Sequence, residues 1–317
     1  MRRLAAVAAL ALALAACGGG GDSGSTGGLE KTTLTVGVVP VPSSASLFIA
    51  EKKGFFKEEG LTVKTEIIQA PQAVLPKILN GSMDAFLTSY VSLLAIHEKG
   101  TAKLKLFQHV QAGAPGIASV VVPADSPVKA VADLKGKTVA VNVLQALGQT
   151  VTNAHLQQAG LTPADVKFTA VPFDQQLPAL ASKSVDAAWL VEPFLSAAKA
   201  QGAVELIDTT SGPTAGIPID AWGVSEKWLS DNPKTAAAFH RALAKAQKLA
   251  SDDRAAINEV IPTYTKIPAD VAAKMKLGTF SMEVDKAAFQ KLADLLQGYG
   301  YIGRKVDVAE LVPAKIG

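Results

Sequence analysis

The sequence predicts an α/β protein built from two similar lobes. Two observations predict this class. Short apolar runs alternate with helix-period segments from residue 34 onward, and one α/β unit recurs at an offset of about 102 residues. The chain has 317 residues, 49% of them hydrophobic and 19% charged, which suits a globular protein that buries its cores without disulfides.

The strands are predicted from short apolar runs that end at turn-forming residues. They are Leu34–Val39, Thr62–Ile68, Met83–Leu87, Leu104–Val110, Val120–Val122, Thr138–Val141, Lys167–Val171, Val185–Leu190, Val204–Ile207 and Ala221–Ser225. Helices are expected in the gaps between these strands. Four more helices are predicted after the last strand from apolar positions spaced three and four residues apart. They are Pro233–Ala250, Arg254–Tyr264, Pro268–Leu277 and Val284–Tyr299.

The internal repeat aligns residues 75–85 with residues 177–187. A Leu-Pro pair begins both copies and an Asp-Ala pair ends them, and Gly-Leu-Thr precedes each copy at residues 60–62 and 160–162. Two copies are too few for a solenoid, so two similar lobes are the better interpretation. A chance match of common residue pairs in an Ala-rich chain is the alternative.

The N-terminus predicts a secreted lipoprotein. Arg2-Arg3 precedes the uncharged stretch Leu4–Ala16, which is too short to span a bilayer and is typical of a signal peptide. Residues 14–17 resemble the lipobox of bacterial lipoproteins, which implies that residues 1–16 are removed and that Cys17 carries a lipid. We expect residues 17–33 to form the lipid anchor and a flexible Gly/Ser-rich tether. A stray cysteine after an ordinary signal is the alternative.

The repeat also predicts how the chain divides between the lobes. A helix-rich C-terminus is packed most economically on the first lobe, so lobe 1 is expected at 34–116 plus 222–317 and lobe 2 at 117–221. The chain would cross between lobes twice, in stretches that carry Gly and Pro. Because ligands of open α/β sheets bind beyond the carboxyl ends of strands, the loops there are expected to face each other across a cleft.

These loops supply the candidate ligand-binding residues. They are Ser43, Ser44, Gln69, Ser89, Tyr90, Asn142, Gln145, Gln149, Thr150, Phe173, Asp174, Glu192, Asp220 and Trp222. The set is rich in acidic and aromatic residues, and none of the five arginines of the chain lies in these loops. Such a cleft suits a small organic ring or chain with N–H donors or an amine. For two of the acids a structural role is the alternative to ligand binding, because Glu192 could begin a helix and Asp220 could cap a turn.

The composition argues against several other functions. The net charge of +3 and the absence of a basic run argue against nucleic-acid binding. The four histidines and one cysteine do not have zinc-ligand spacing. Residues 298–303 match G-x-G-x-x-G, but they follow a predicted helix and only 14 residues remain, so no dinucleotide-binding unit can follow. No metal or cofactor is expected.

The chain resembles the substrate-binding lipoproteins of ABC importers, in the branch that binds nitrate, sulfonates, taurine and thiamine precursors. The segments that carry the resemblance are residues 34–40, 47–61, 80–85, 133–141 and 185–194. The resemblance implies a two-lobed periplasmic-binding-protein type II fold, each lobe a mixed sheet flanked by helices, joined by two hinge strands. It also implies an extracytoplasmic, lipid-anchored monomer that captures a small solute by hinge closure and delivers it to the ABC permease and ATPase subunits.

The solute and two other functions are left open. The solute is either sulfonate- or taurine-like or pyrimidine- or aromatic-like, and residues 142–150 are bulky where anion binders of the family usually offer a short Ser/Gly-rich turn. A pyrimidine-synthase-like enzyme on the same scaffold would need a cofactor lysine and histidines that the predicted loops do not offer. A ligand-sensing lipoprotein is the third possibility.

Overall fold

The computed structural model describes residues 28–68, 71–313 and 316. Cys17 and Gln69 lie outside the described residues, as do the expected signal peptide and most of the tether. The described strands form two mixed sheets flanked by helices, which confirms the predicted fold class.

The strands follow the predicted order along the chain. They are β1 Thr33–Val38, β2 Thr62–Ile67, β3 Ala85–Ser89, β4 Leu104–Ala112, β5 Ala118–Val122, β6 Thr138–Val141, β7 Lys167–Ala170, β8 Ala187–Val191, β9 Val204–Asp208, β10 Pro218–Ser225 and β11 Thr279–Phe280. The helices are α1 Ala45–Lys52, α2 Phe55–Glu58, α3 Leu75–Leu79, α4 Tyr90–Glu98, α5 Leu147–Gln158, α6 Phe173–Ala181, α7 Phe194–Ala200, α8 Glu226–Asp231, α9 Pro233–Asp252, α10 Arg254–Tyr264, α11 Ala269–Lys274 and α12 Lys286–Gly298.

The two sheets have equivalent centres. The first sheet has the order β11-β4-β10-β3-β1-β2 and the second has the order β7-β6-β8-β5-β9. In each, the first strand of the repeated unit lies between two parallel neighbours, β2 and β3 in one sheet and β7 and β8 in the other. An antiparallel strand, β10 or β5, then follows on the side of the third strand. The sequence repeat therefore corresponds to a repeated three-strand unit.

The aspartate of the repeated Asp-Ala pair has the same structural role in both copies. Asp84 Oδ2 accepts a hydrogen bond from the backbone N–H of Thr35 at 2.8 Å, and Asp186 Oδ2 accepts one from the backbone N–H of Thr138 at 2.8 Å. Each carboxylate thus ties the start of its strand to the first strand of its unit. The surroundings differ, because Asp84 also accepts hydrogen bonds from Lys31 Nζ and Trp228 Nε1.

Helix α9 packs on the first sheet. The apolar face of α9 is buried in the same core cluster as residues of β1 and α1, and it consists of Ala236, Phe239, Leu243, Ala246 and Ala250. Phe56 of α2 stacks on Phe239 with ring centroids 5.6 Å apart. Burial of each such large apolar side chain stabilises the fold by about 1.5–3 kcal/mol. The Gly-Phe-Phe segment that precedes β2 is therefore part of the scaffold.

The chain passes between the sheets twice, in residues 113–117 and 209–217. The two passages lie side by side, since the backbone N–H of Gly113 donates to the carbonyl of Ile217 at 2.9 Å. β10 begins at Pro218, so residues 218–221 belong to a strand of the first sheet. The expected boundaries between moving lobes stay a prediction.

Helix α11 ends earlier than the sequence predicts. The Arg254 guanidinium donates to the carbonyl of Ala272 at 2.8 Å and to that of Met275 at 2.6 Å, which occupies acceptors at the helix end. Residues 275–278 consequently form a loop that leads into β11. No helix among the described residues is long and apolar enough to cross a membrane.

Candidate functional site

A cavity of about 120 Å³ lies between the two sheets. It is bounded by residues at the carboxyl ends of parallel strands, among them Val39 after β1, Ser89 at the end of β3, Asn142 after β6 and Glu192 after β8. This is the edge at which open α/β sheets bind ligands. Both copies of the repeated unit therefore contribute the same strand ends to one site.

The walls of the cavity are mainly apolar, with a few polar groups. The apolar residues include Val39, Val41, Leu87, Ile117, Ala146, Leu147, Val151, Phe173, Trp189, Val191, Ile217, Ile219 and Leu277. The polar and charged residues are Ser43, Thr88, Ser89, Ser92, Gln111, Asn142, Glu192, Thr209, Thr210, Asp220 and Lys276. Such a mixture is typical of sites that bury a small molecule and orient it by a few hydrogen bonds.

Asp220 is the carboxylate that the first sheet contributes. The register between β10 and β4 shifts on both sides of Asp220, and irregularities of this kind re-aim side chains. Gln111 Nε2 donates to Asp220 Oδ2 over a long 3.4 Å. Burial raises the pKa of Asp220 to about 6, and the Ser43 hydroxyl and the Gln111 amide offset part of this rise. The carboxylate is thus poorly solvated and only weakly hydrogen-bonded.

A buried tyrosine–histidine pair supports this region of the first sheet. The Tyr90 hydroxyl lies 2.8 Å from Nδ1 of His109, and the two rings meet edge to face. Burial lowers the pKa of His109 to about 4, so the imidazole is neutral. Burial and then the charge of Asp220 raise the pKa of Tyr90. The pair is therefore an uncharged part of the scaffold.

Glu192 is the carboxylate that the second sheet contributes. It also caps α7, because Glu192 Oε1 accepts from Ser196 Oγ at 2.8 Å and Oε2 accepts from the Ser196 backbone N–H at 3.2 Å. Burial raises the pKa of Glu192, against the effect of these hydrogen bonds and of one from the Lys276 backbone N–H. Glu192 therefore caps the first turn of α7 and also lines the cavity, while its contact with a ligand stays a prediction.

Lys276 lines the cavity from the loop between α11 and β11. Its side chain runs along Gly116, where a β-carbon would lie 2.5 Å from Lys276 Nζ. Burial would raise the pKa of Asp208, but hydrogen bonds from Thr210 and Gly116 and the charge of Lys276 lower it overall. The charge of Lys276 is thus partly compensated by Asp208. The sequence analysis missed this lysine, because no local motif connects residue 276 with the distant strands that line the cavity.

Aromatic rings form the wall on the side of the second sheet. Trp189 and Phe173 have ring centroids 5.9 Å apart, and Phe173 stacks on Phe194 at 5.3 Å. Trp189 Nε1 donates to Thr209 Oγ1 at 2.9 Å, which fixes the indole. Trp189 is 2% exposed, so it belongs both to the core and to the cavity wall.

The structure brings six of the predicted residues together in the lining, namely Ser43, Ser89, Asn142, Phe173, Glu192 and Asp220. The other described candidates lie outside it. Ser44 donates to the carbonyl of Val39, Thr150 donates to the carbonyl of Ala146 within α5, and Gln149 Oε1 accepts from the Gln145 backbone N–H. Asp174 is exposed on α6.

Two aromatic candidates are part of the interior instead. Trp222 is fully buried in the core cluster that contains α1 and α9, and Tyr90 is held against His109. Tyr90 follows the strand-ending Ser89 directly and is the first residue of α4, so its backbone is helical rather than that of an open loop. Neither belongs to the cavity lining.

The described lining contains neither histidine nor cysteine. Over the whole described part of the chain, no group of three or more His, Cys, Asp or Glu side chains could hold a metal ion. The chemistry that the lining offers is hydrogen bonding and charge inside an apolar enclosure. Such a site can surround and orient a small molecule.

Comparison with known proteins gives a consistent assignment. The model of the NMT1-like family matches residues 27–264. The nitrate import ATP-binding protein NrtC of Synechocystis sp. is 25% identical over 243 residues, which cover 72% of this chain and 36% of NrtC. The putative binding protein YtlA of Bacillus subtilis is 26% identical over 224 residues, which cover 69% of this chain and 67% of YtlA. The chain thus spans only about a third of the length of NrtC.

A solved structure shares the fold over nearly its whole length. The alkanesulfonate-binding protein SsuA from Xanthomonas axonopodis pv. citri, bound to MOPS, superposes with a TM-score of 0.77 at 20% identity. The match covers 90% of this chain and 99% of that one. The predicted resemblance to the nitrate, sulfonate and taurine binding group is confirmed.

Proposed function

Because the chain belongs to the NMT1-like family, we propose that it is the extracytoplasmic solute-binding component of an ABC importer. The observation that carries this function is the cavity between the two sheets, to which both copies of the repeated unit contribute their strand ends. A small organic solute binds there and is delivered to the permease and its ATPases. The family membership and the fold that the chain shares with a sulfonate-binding protein support this proposal.

Capture proceeds by hinge closure about residues 113–117 and 209–217. The molecule has two halves, the first sheet with its helices and the second sheet with its helices, and each contributes a part of the lining. Only the closed form surrounds the solute. The solute therefore shifts the equilibrium towards closure by its higher affinity for that form. Two contacts between the halves support closure. The backbone N–H of Lys276 donates to Glu192, and Asn153 Nδ2 of α5 donates to the Tyr301 hydroxyl at 2.6 Å.

The protein acts by binding and not by catalysis. A pyrimidine-synthase-like reaction would need histidines as well as a cofactor lysine in the cleft, and the described lining holds Lys276 but no histidine. The lipid on Cys17 holds the protein at the membrane, and the tether of residues 18–28 lets the folded part reach the permease.

A thermal-shift screen tests the function. The chain from residue 17 with Cys17→Ser is heated with sulfonates, taurine, nitrate, pyrimidines and aromatic acids. A solute present at 100 times its Kd adds about 2.7 kcal/mol to the free energy of unfolding, which raises Tm by several degrees at about 2–4 °C per kcal/mol. Failure of every solute to raise Tm would overturn the proposal.

A matched pair of variants locates the binding event. Phe173→Ala removes a ring from the cavity wall, and Phe55→Ala removes a partly buried ring from the surface of the first half. We expect the first variant to reduce the solute-induced shift and the second to leave it unchanged. Equal shifts in both variants would place the solute elsewhere.

A further inference from the structure

We propose that the solute presents an N–H donor, such as an amino or amidino group, to the carboxylate of Asp220, and that Asp220 determines specificity. This inference rests on the proposed function and names the chemical class of the solute. It follows from the balance of acceptors and donors that the cavity offers.

The first half of the cavity wall offers acceptors. Asp220 accepts a long hydrogen bond from Gln111 Nε2 at 3.4 Å, and the nearby Ser43 hydroxyl also stabilises its ionised form. Gln111 also lines the cavity, and its Oε1 is a buried acceptor without a hydrogen-bond partner. A buried carboxylate with few donors is costly, so a solute N–H placed at Asp220 would complete its hydrogen bonding. The Ser43 hydroxyl beside them can accept as well as donate.

The charged groups favour the same class of solute. Lys276 is the only Lys or Arg among the described lining residues, and Asp208 partly compensates its charge. The Arg254 guanidinium is engaged by the carbonyls of Ala272 and Met275 and by the side chain of Asn258. Since Asp220 and Glu192 both line the cavity, its charge is net negative when both carboxylates are ionised. A nitrate ion, or a sulfonate that carries no N–H group, would be repelled by this negative charge.

The second half can bind the opposite end of the solute. Helix α5 begins at the cavity, and its N-cap residue Ala146 supplies no side-chain hydrogen bond to the first turn. The free backbone N–H groups of that turn can donate to an acceptor atom. A solute that carries an acceptor besides its N–H donor would fit this arrangement. A cavity of about 120 Å³ limits it to one ring or a short chain, since a cavity of about 150 Å³ holds benzene.

Two matched pairs of probes test the inference by isothermal titration calorimetry up to millimolar concentrations. Taurine is compared with propane-1-sulfonate, and 4-aminopyrimidine is compared with 4-methylpyrimidine. Within each pair a methyl group replaces the nitrogen donor while the shape is kept. We expect the amino compound of the pair that binds to bind at least about tenfold more tightly, because a hydrogen bond to a charged acceptor is lost in its partner.

Two aspartate variants assign the discrimination to one carboxylate. Asp220→Asn is expected to reduce the preference for the amino compound to less than about twofold. Asp174→Asn makes the same change at an exposed position outside the cavity and is expected to keep the full preference. Circular dichroism and Tm confirm that both variants are folded.

Three results would overturn the inference. They are binding of a methyl compound as tightly as its amino partner, an unchanged preference in Asp220→Asn, and no binding by any of the four probes. If the methyl compounds bind, the proposed transport function stands and only the class of solute is wrong. If no compound of the broader thermal-shift screen binds, the proposed function itself fails.

Discussion

The indole of Trp189 lies directly against the backbone of Gly148. A β-carbon at residue 148 would lie 2.3 Å from Trp189 Cε3, far inside van der Waals contact. The indole cannot move away at little cost, because Trp189 Nε1 donates to Thr209 Oγ1, which in turn donates to the carbonyl of Ala118. The first turn of α5 and the aromatic wall of the cavity are therefore held in one fixed arrangement.

Gly148→Ala is expected to lower the free energy of unfolding by about 1–3 kcal/mol, because the added methyl group overpacks this contact. It should also weaken solute binding, because Trp189 lines the cavity. Urea unfolding and the solute-induced thermal shift measure the two effects. Gly298→Ala is the control, since nothing lies within 4 Å of a β-carbon there. Equal stability of the two variants would contradict the predicted clash.

The two repeat aspartates are expected to differ in their contribution to stability. The Asp84 side chain is 1% exposed, and its loss would leave Lys31, Thr35 and Trp228 without their acceptor. Asp84→Ala should cost about 2–4 kcal/mol, because the N–H donors of Thr35 and Trp228 lose a charged acceptor inside the fold. The Asp186 side chain is 42% exposed, so Asp186→Ala should cost only about 1 kcal/mol. Urea denaturation of both variants checks this order, which equal losses would refute.

The stability of the protein should depend on pH through Asp220. Burial raises the pKa of Asp220 from 3.8 to about 6, so the folded protein holds this proton more tightly than the unfolded chain. The ionised carboxylate therefore lowers stability above about pH 6, by up to about 3 kcal/mol, and protonation removes this penalty as the pH falls from about 6 towards 3.8.

Asp220→Asn should consequently stabilise the solute-free protein near pH 7.5 and lose this advantage near about pH 4. Urea unfolding of both proteins at the two pH values measures the difference. His109 changes stability in the opposite direction. Burial lowers its pKa from 6.5 to about 4, so the folded protein loses stability as the pH falls from 6.5 towards 4. This effect is common to both proteins, so the difference between them reports Asp220. A gain that does not change with pH would contradict the assignment.

Tyr301→Phe is expected to weaken the contact between the C-terminal segment and α5. Asn153 is fully buried, its Nδ2 donates to the Tyr301 hydroxyl, and its Oδ1 has no partner. Loss of the hydroxyl should cost about 1–3 kcal/mol and reduce solute affinity, because the contact joins the two halves. Tyr299→Phe should have a smaller effect, since its partner Gln157 is exposed. Calorimetric titration with the solute found in the screen compares the two variants.

Cys17→Ser should release the full chain from the membrane fraction of a bacterial host. The expected lipid is attached through the Cys17 thiol, and no described helix is long and apolar enough to cross a membrane. Immunoblots of membrane and soluble fractions measure the distribution, with Ser23→Ala as the control in the expected tether. Persistence of the Cys17→Ser protein in the membrane fraction would contradict the lipid anchor.

The sequence predicts well what depends on local pattern. The strands of the repeat, the apolar face of α9 and the C-terminal helix α10 follow from apolar spacing, because burial on one face imposes that spacing. The Asp-Ala pair helped to identify the repeat. Its aspartate recurs because it accepts a hydrogen bond from a backbone N–H of the first strand in both copies. The ends of these strands and the loops after them then gave five residues of the cavity lining, and Asp220 was the sixth predicted residue in it.

The rest depends on contacts between distant parts of the chain. Gln111 and Lys276 enter the cavity from a strand and a loop that no motif links to the repeat. The shift in register around Asp220 is not visible in the sequence, although it decides which side chain of β10 reaches the cavity. Trp222 is an aromatic residue of the kind that often contacts ligands, but here it is buried in the cluster that contains residues of α1 and α9. The positions of these helices depend on tertiary packing, which the local sequence does not show.

The pairing of β4 with β10 makes the second sheet an insertion into a hairpin. Ala112 and Pro218 are register partners, yet more than 100 residues separate them along the chain. A short turn in place of residues 113–217 would join the two strands directly and leave every strand of the first sheet in place. The uninterrupted sheet therefore supplies Asp220 on one wall of the cavity, and the inserted sheet supplies the opposite wall.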